Sequence, residues 1–153
     1  MAKSKAPRKK YREKPIHLPM MPESRDRMAM RLHLNVEALI ASPSSEAFNE
    51  LCKKVASLTD ALSHLRGRPI FNDRDAAANA IRTAVATLTQ IQERAERTEV
   101  LAVTETEALS LRNASGAMDI ELGRIPKNVL DASIAIIRKQ TEERIEALSY
   151  GYS

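Results

Sequence analysis

SEAFNELCKKVASLTDALSHLRGRP, residues 45–69, carries the clearest structural signal in the chain. Phe48, Leu51, Val55, Leu58, Leu62 and Leu65 recur at intervals of three and four residues, which sets all six on one stripe of an α-helix. The alternation is that of a heptad seam, so this helix is expected to bury its stripe against other helices. Ser44 stands where it can cap the start, with Glu46 near the positive end of the helix. Gly67 and Pro69 end it for separate reasons: glycine accepts a left-handed cap, and proline lacks a backbone donor.

The same logic extends in both directions. Upstream, a helix is expected from Ser24 to about Ala41, with Met28, Leu32, Val36, Leu39 and Ile40 on one face. Downstream, Asn72 or Asp73 is expected to start a third helix reaching about Arg97. Its stripe is Ala77, Ile81, Ala84, Val85, Leu88, Ile91 and Ala95, small enough in places for a neighbouring helix to approach closely. VLAV, residues 100–103, is a short apolar patch. Thr104 and Glu107 form a capping box for a fourth helix, with Ala108, Leu111, Met118 and Leu122 inward and Gly116 as its weak point. Pro126 suits the first position of a fifth, whose stripe is Leu130, Ile134, Ile137, Ile145 and Leu148. No segment alternates as a strand would, and no period of 20–50 residues recurs. The reading is all-α: a single-domain bundle of about five helices over residues 23–149. A disordered basic, proline-rich arm over residues 1–22 precedes it, and a frayed tail over 150–153 follows.

A chain of 153 residues suffices for one domain with a real core. Mean hydropathy is −0.36, and no apolar run approaches the roughly 20 residues that a membrane span needs. The basic opening lacks the apolar stretch of a secretory signal. A single cysteine, Cys52, allows no internal disulfide and fits a reducing compartment.

Charge is unevenly distributed. KSKAPRKKYREK, residues 3–14, contains Lys3, Lys5, Arg8, Lys9, Lys10, Arg12 and Lys14 against Glu13 alone, a net of +6. The chain has 24 cations and 20 anions, so residues 15–153 hold 17 against 19, a net of −2. The sequence pI of 9.4 therefore belongs to the arm. The adjoining piece KPIHLPMMP is apolar at Ile16, Leu18, Met20 and Met21. It is read as an extended strap over the bundle, or otherwise as a docking segment for a partner.

Catalytic and metal-binding patterns are hard to assemble. Of the three histidines, His33 lies one turn from Glu37 and His64 one turn from Asp60. In an antiparallel hairpin turning near residues 42–44, the two pairs fall on the order of 15 Å apart and cannot share an ion. The same hairpin brings Cys52 near His33, which suggests a thiolate–imidazole pair. A cysteine beside a heptad seam is more simply a small buried hydrophobe. Four glycines form no phosphate-binding loop. Acid pairs such as Glu105 with Glu107, or Asp119 with Glu121, read as helix-start and surface charges. No catalytic residue, metal ligand or cofactor is assigned, and a non-enzymatic role is expected.

The arm is the candidate nucleic-acid contact. Its seven cations would release counterions from a phosphate backbone without needing a fold or a fixed spacing, and Tyr11 could stack on a base. Either DNA or RNA would serve. No basic recognition helix follows a short turn, so a helix-turn-helix is not indicated. A bundle that bound nucleic acid itself should show a basic face, and a net of −2 argues against one. The rival reading is a protein-interaction module, with KPIHLPMMP or a leftover helix face as the docking surface and the arm only as a solvated tail.

The run KKYREKPI, residues 9–16, followed by helices such as LHLNVEALIASPSSEAFNELCKKVASLTDAL, resembles a group of small phage and prophage proteins of proteobacteria. Those open with a KKYRPKPV-like run and continue as a helical domain of similar length. Glu13 stands where that run carries proline, making this arm less stiff and slightly less basic. The resemblance implies a mobile-element accessory protein in a bacterial cytoplasm, and it supplies no catalytic residues.

Overall fold

Ser44 accepts a hydrogen bond from the Ala47 amide at 3.1 Å, and the decisive stripe follows as one helix, α2 (Ser45–Arg66). It ends at Gly67, whose φ of 64° is the left-handed cap expected of that glycine. The computed structural model describes residues 18–72 and 74–150. The basic run at 3–14 and the last three residues of the expected tail lie outside them.

Four further helices join it: α1 (Pro22–Ala41), α3 (Ala76–Thr98), α4 (Glu105–Leu122) and α5 (Lys127–Tyr150). There is no strand among the described residues. Contacts run α1 to α2, α2 to α3, α3 to α4 and α4 back to α1, so the first four helices close into a ring. α5 packs outside that ring, against α2. The core inside is aliphatic, with Leu32, Leu39, Leu51, Ile81, Ile91 and Leu111 among the side chains fully withdrawn from solvent. Along α2, Leu51, Val55, Leu58 and Leu62 are buried, while Phe48 and Leu65 at the stripe's two ends are partly covered.

Ion pairs fix how the ring closes. Arg112 of α4 donates to Glu37 of α1 at 2.7 and 3.0 Å, and Arg25 of α1 reaches Asp119 of α4 at 3.1 Å. Residues early in one helix thus meet residues late in the other, so α1 and α4 are antiparallel. Between α3 and α4 the capping box of Thr104 and Glu107 forms as expected. Glu107 is buried, and Arg94 grips both its carboxylate oxygens. Burial alone would raise the Glu107 carboxyl, but hydrogen bonds from Arg94 and Thr104 outweigh it and hold the group below the ordinary carboxylate range.

Four boundaries differ from the sequence reading. Helix α1 begins at Pro22 rather than Ser24, because proline at a helix start sacrifices no intrahelical bond. The third helix does not start at Asn72 or Asp73. Ile70–Asn72 form a 3₁₀ turn that buries Ile70, and Asp75 caps α3 by accepting from the Ala78 amide at 2.9 Å. Pro126 directly precedes α5 rather than opening it. Tyr150 belongs to α5, so the helix runs through the first residue of the expected frayed tail.

The stripe of α5 is the largest correction. Leu130 is buried and Ile134 is partly buried, whereas Ile145 and Leu148 are 60% and 58% exposed. Beyond Thr141 every residue of α5 whose side chain is described is exposed, so the second half of the helix runs past the surface that covers the first. The periodicity was helical throughout, but there is no bundle under its last turns.

Candidate basic cleft

Of the segment KPIHLPMMP, residues 18–21 are described ahead of α1, and they touch the bundle at two points while Leu18 and Met21 keep their side chains exposed. The Leu18 amide donates to Asn128 Oδ1 at 2.9 Å, and the Lys127 amide donates to the Leu18 carbonyl at 2.8 Å. Met20 packs on the core. These bonds moor the chain just before α1 to the first turn of α5 and satisfy one of that turn's orphan amides. They also place the starts of α1 and α5 at the same end of the bundle, so α5 is antiparallel to α2.

Beside this mooring, α1, α2 and α5 leave a cleft of about 350 Å³. Its floor is aliphatic: Met28 and Leu32 from α1, Leu58 from α2, Leu122 from the end of α4, and Leu130, Ile134 and Ile137 from α5. Its walls are cationic, with Arg31, Lys53, Lys54 and Arg138 against the single acid Glu50. Glu50 is taken by Lys53 at 3.1 Å. Arg31, Lys54 and Arg138 have no carboxylate within ion-pair distance among the described residues.

Lys54 shows the electrostatic consequence. It sits one turn from both Leu51 and Leu58, so its aliphatic stem lies along the edge of the buried stripe while its ammonium reaches the cleft. Burial lowers its pKa, and the neighbouring charges of Arg31 and Lys53 lower it further against the opposing pull of Glu50. A carboxylate or phosphate entering the cleft would relieve that repulsion.

The arm residues singled out from the sequence, Lys3, Lys5, Arg8, Lys9, Lys10, Tyr11, Arg12 and Lys14, all lie outside the described residues. The Cys52–His33 pair that the hairpin suggested, and that the buried-hydrophobe reading of Cys52 outweighed, is not formed. The His33 ring turns instead to α4, with Nε2 3.0 Å from Asp119 Oδ2 and Nδ1 3.3 Å from Ser115 Oγ. Cys52 lines a second cleft, of about 460 Å³, between α2 and α3 with Phe48, Val55, Phe71 and Leu88. Burial pushes its thiol up to about 11, the opposite of an activated nucleophile.

A serine, histidine and aspartate in line invite comparison with a catalytic triad, but the arrangement is a clasp between helices. Ser115 is 1% exposed and donates to the Arg112 carbonyl at 2.9 Å, so no substrate reaches its oxygen. Asp119 is shared with Arg25. The Asp60–His64 pair stands 3.9 Å apart on α2, and no cluster of metal-ligating side chains occurs among the described residues. No helix in the structure is long and apolar enough to cross a membrane.

The cleft cations were missed by sequence reasoning because they come from three helices. Only Lys53 and Lys54 are neighbours in the chain, and a lysine pair on a helix is ordinarily a solvated face. The chain matches no family model, no curated protein and no solved structure.

Proposed function

We propose that this is a non-enzymatic accessory protein of phage or prophage type, working in a bacterial cytoplasm and contacting nucleic acid non-specifically through Lys3–Lys14 of its arm. The observation that supports this reading is where the chain's positive charge is concentrated along the sequence. Within the bundle, Arg25, Arg66, Arg94, Arg112, Arg124 and Lys127 are each taken by a carboxylate. Residues 15–153 carry a net charge of −2, whereas the arm concentrates seven cations in twelve residues. Phosphate contacts of that kind position a protein on a backbone without reading bases. DNA and RNA therefore compete for the same arm.

The test is a titration of labelled duplex DNA with the full chain and with a full-length variant whose seven arm cations are replaced by glutamine. Binding should be lost in the variant. Binding retained there would move the contact to the cleft of Arg31, Lys54 and Arg138. Absence of binding by either protein would leave the arm a solvated tail and make protein interaction the leading function.

A further inference from the structure

The basic cleft between α1, α2 and α5 has two ends of different chemistry. The bonds at Leu18 bring the starts of α1 and α5 to one end of the bundle. The short turn at 42–44 folds α2 back along α1, so α2 finishes at that same end. Counted upward from there, Arg31 stands about 14 Å along α1, Arg138 about 17 Å along α5 and Lys54 about 18 Å along α2. Three cations from three helices therefore meet at nearly one level. Below them the lining is aliphatic, with Leu58 at about 12 Å, Met28 at about 9 Å and Leu130 at about 5 Å. Leu122, at the end of α4 beside the start of α1, closes the bottom. The uncharged polar side chain in the lining, Ser57, already donates to the Lys53 carbonyl at 2.8 Å.

Charge at the upper level is not cancelled. Glu50 is the only acid of the lining and is engaged by Lys53. No carboxylate among the described residues pairs with Arg31, Lys54 or Arg138. Lys54 moreover feels Arg31 and Lys53 as like charges. Cations of one sign gathered at a concave opening attract an anion, and the aliphatic lower part favours hydrocarbon attached to it. The lining contains no aromatic side chain, so a nucleobase would find nothing there to stack on. The volume of about 350 Å³ is that of a small-molecule site.

We infer that the cleft binds the free anion of a single-chain fatty acid, its carboxylate among Arg31, Lys54 and Arg138 and its alkyl chain running down toward Leu130 and Leu122. Arg31 and Arg138 are exposed, so the head group stays at the edge of the solvent and is not stripped of water. Guanidinium groups give a carboxylate charge-assisted hydrogen bonds. Each CH₂ that leaves water for the aliphatic lining adds to the affinity. The arm plays no part in this binding.

Calorimetric titration of the full chain with sodium hexanoate, octanoate and decanoate, each below its micelle concentration, tests it. Binding should saturate at a single site, and affinity should rise about fourfold for each CH₂ added. Decanol and decyltrimethylammonium, matched in chain length but without the negative charge, should bind about tenfold more weakly than decanoate or worse. These comparisons vary the ligand and need no altered protein. A variant carrying Arg31→Gln, Lys54→Gln and Arg138→Gln should lose about tenfold or more in decanoate affinity, with an unchanged helical circular-dichroism spectrum. The full-length variant with its seven arm cations replaced by glutamine should bind decanoate as the parent does. Affinity indifferent to chain length would mark an anion site only and overturns the inference. So does equal binding of the decyl cation, decanoate binding that survives the three cleft substitutions, binding lost with the arm cations, or no saturable binding at all.

Discussion

His33 of α1 and Asp119 of α4 are joined at 3.0 Å, and the same carboxylate holds Arg25 one helical stretch earlier on α1. Two cations or potential cations of one helix thus converge on a single acid of its antiparallel neighbour. Hydrogen bonds to a charged group contribute more than neutral ones, and Asp119 is partly shielded from water. Asp119→Asn should therefore cost about 1–2 kcal/mol in urea unfolding. The loss should be smaller when Arg25 has already been replaced, since the two residues share one interaction. Additive losses would mean that Arg25 and Asp119 act independently.

Glu107 ties stability to acid pH. Its folded pKa is depressed, so its contribution is fully present above the ordinary carboxylate range. That contribution disappears as pH falls below the range, through the folded value. Glu107→Gln should lower stability at neutral pH by about 1.5–3 kcal/mol. It should also flatten the decline in stability on acidification, measured by denaturant unfolding from neutral pH downward. An acid limb as steep as that of the parent would assign the acid sensitivity to other carboxylates.

Leu58 lies in the core at 5% exposure and also contributes to the cleft floor. Leu58→Ala should cost about 2–5 kcal/mol in denaturant unfolding. A near-neutral result would mean that the cleft side of α2 collapses around the lost side chain.

Cys52 should be chemically quiet. With its thiol pushed up to about 11, about one molecule in ten thousand holds a thiolate at pH 7. Alkylation of the native protein by iodoacetamide should be far slower than that of the denatured chain, and should accelerate only toward pH 11. Rapid modification at neutral pH would contradict the buried-hydrophobe role.

The arm makes a prediction in salt. Taking about four to six phosphate contacts from seven cations, log K on duplex DNA should fall against log salt with a slope of roughly −4 to −5. Sequence preference should be slight. A slope near zero, measured by anisotropy over a salt series, would exclude counterion release as the source of binding.

The sequence by itself determined the helices. Intervals of three and four residues in Phe48–Leu65, the caps at Ser44 and Thr104, and the stop at Gly67 are local properties, and each survives in the structure. Its failures are equally local in origin. Asn72 lost the start of α3 to Asp75 because Ile70 was drawn into the core, a contact that no neighbouring residue announces. The tertiary structure alone decided which stripes are covered. Ile137 and Ile145 belong to one periodic face, and only the length of α2 beneath α5 separates the half-buried from the exposed. It alone turned His33 toward Asp119 instead of Cys52, since a helix in a ring has two neighbours and periodicity does not choose between them. The cleft belongs to the same class. Arg31, Lys54 and Arg138 are scattered surface cations along the chain, and they become one field only where three helices leave a gap, because charge acts through space and not along sequence.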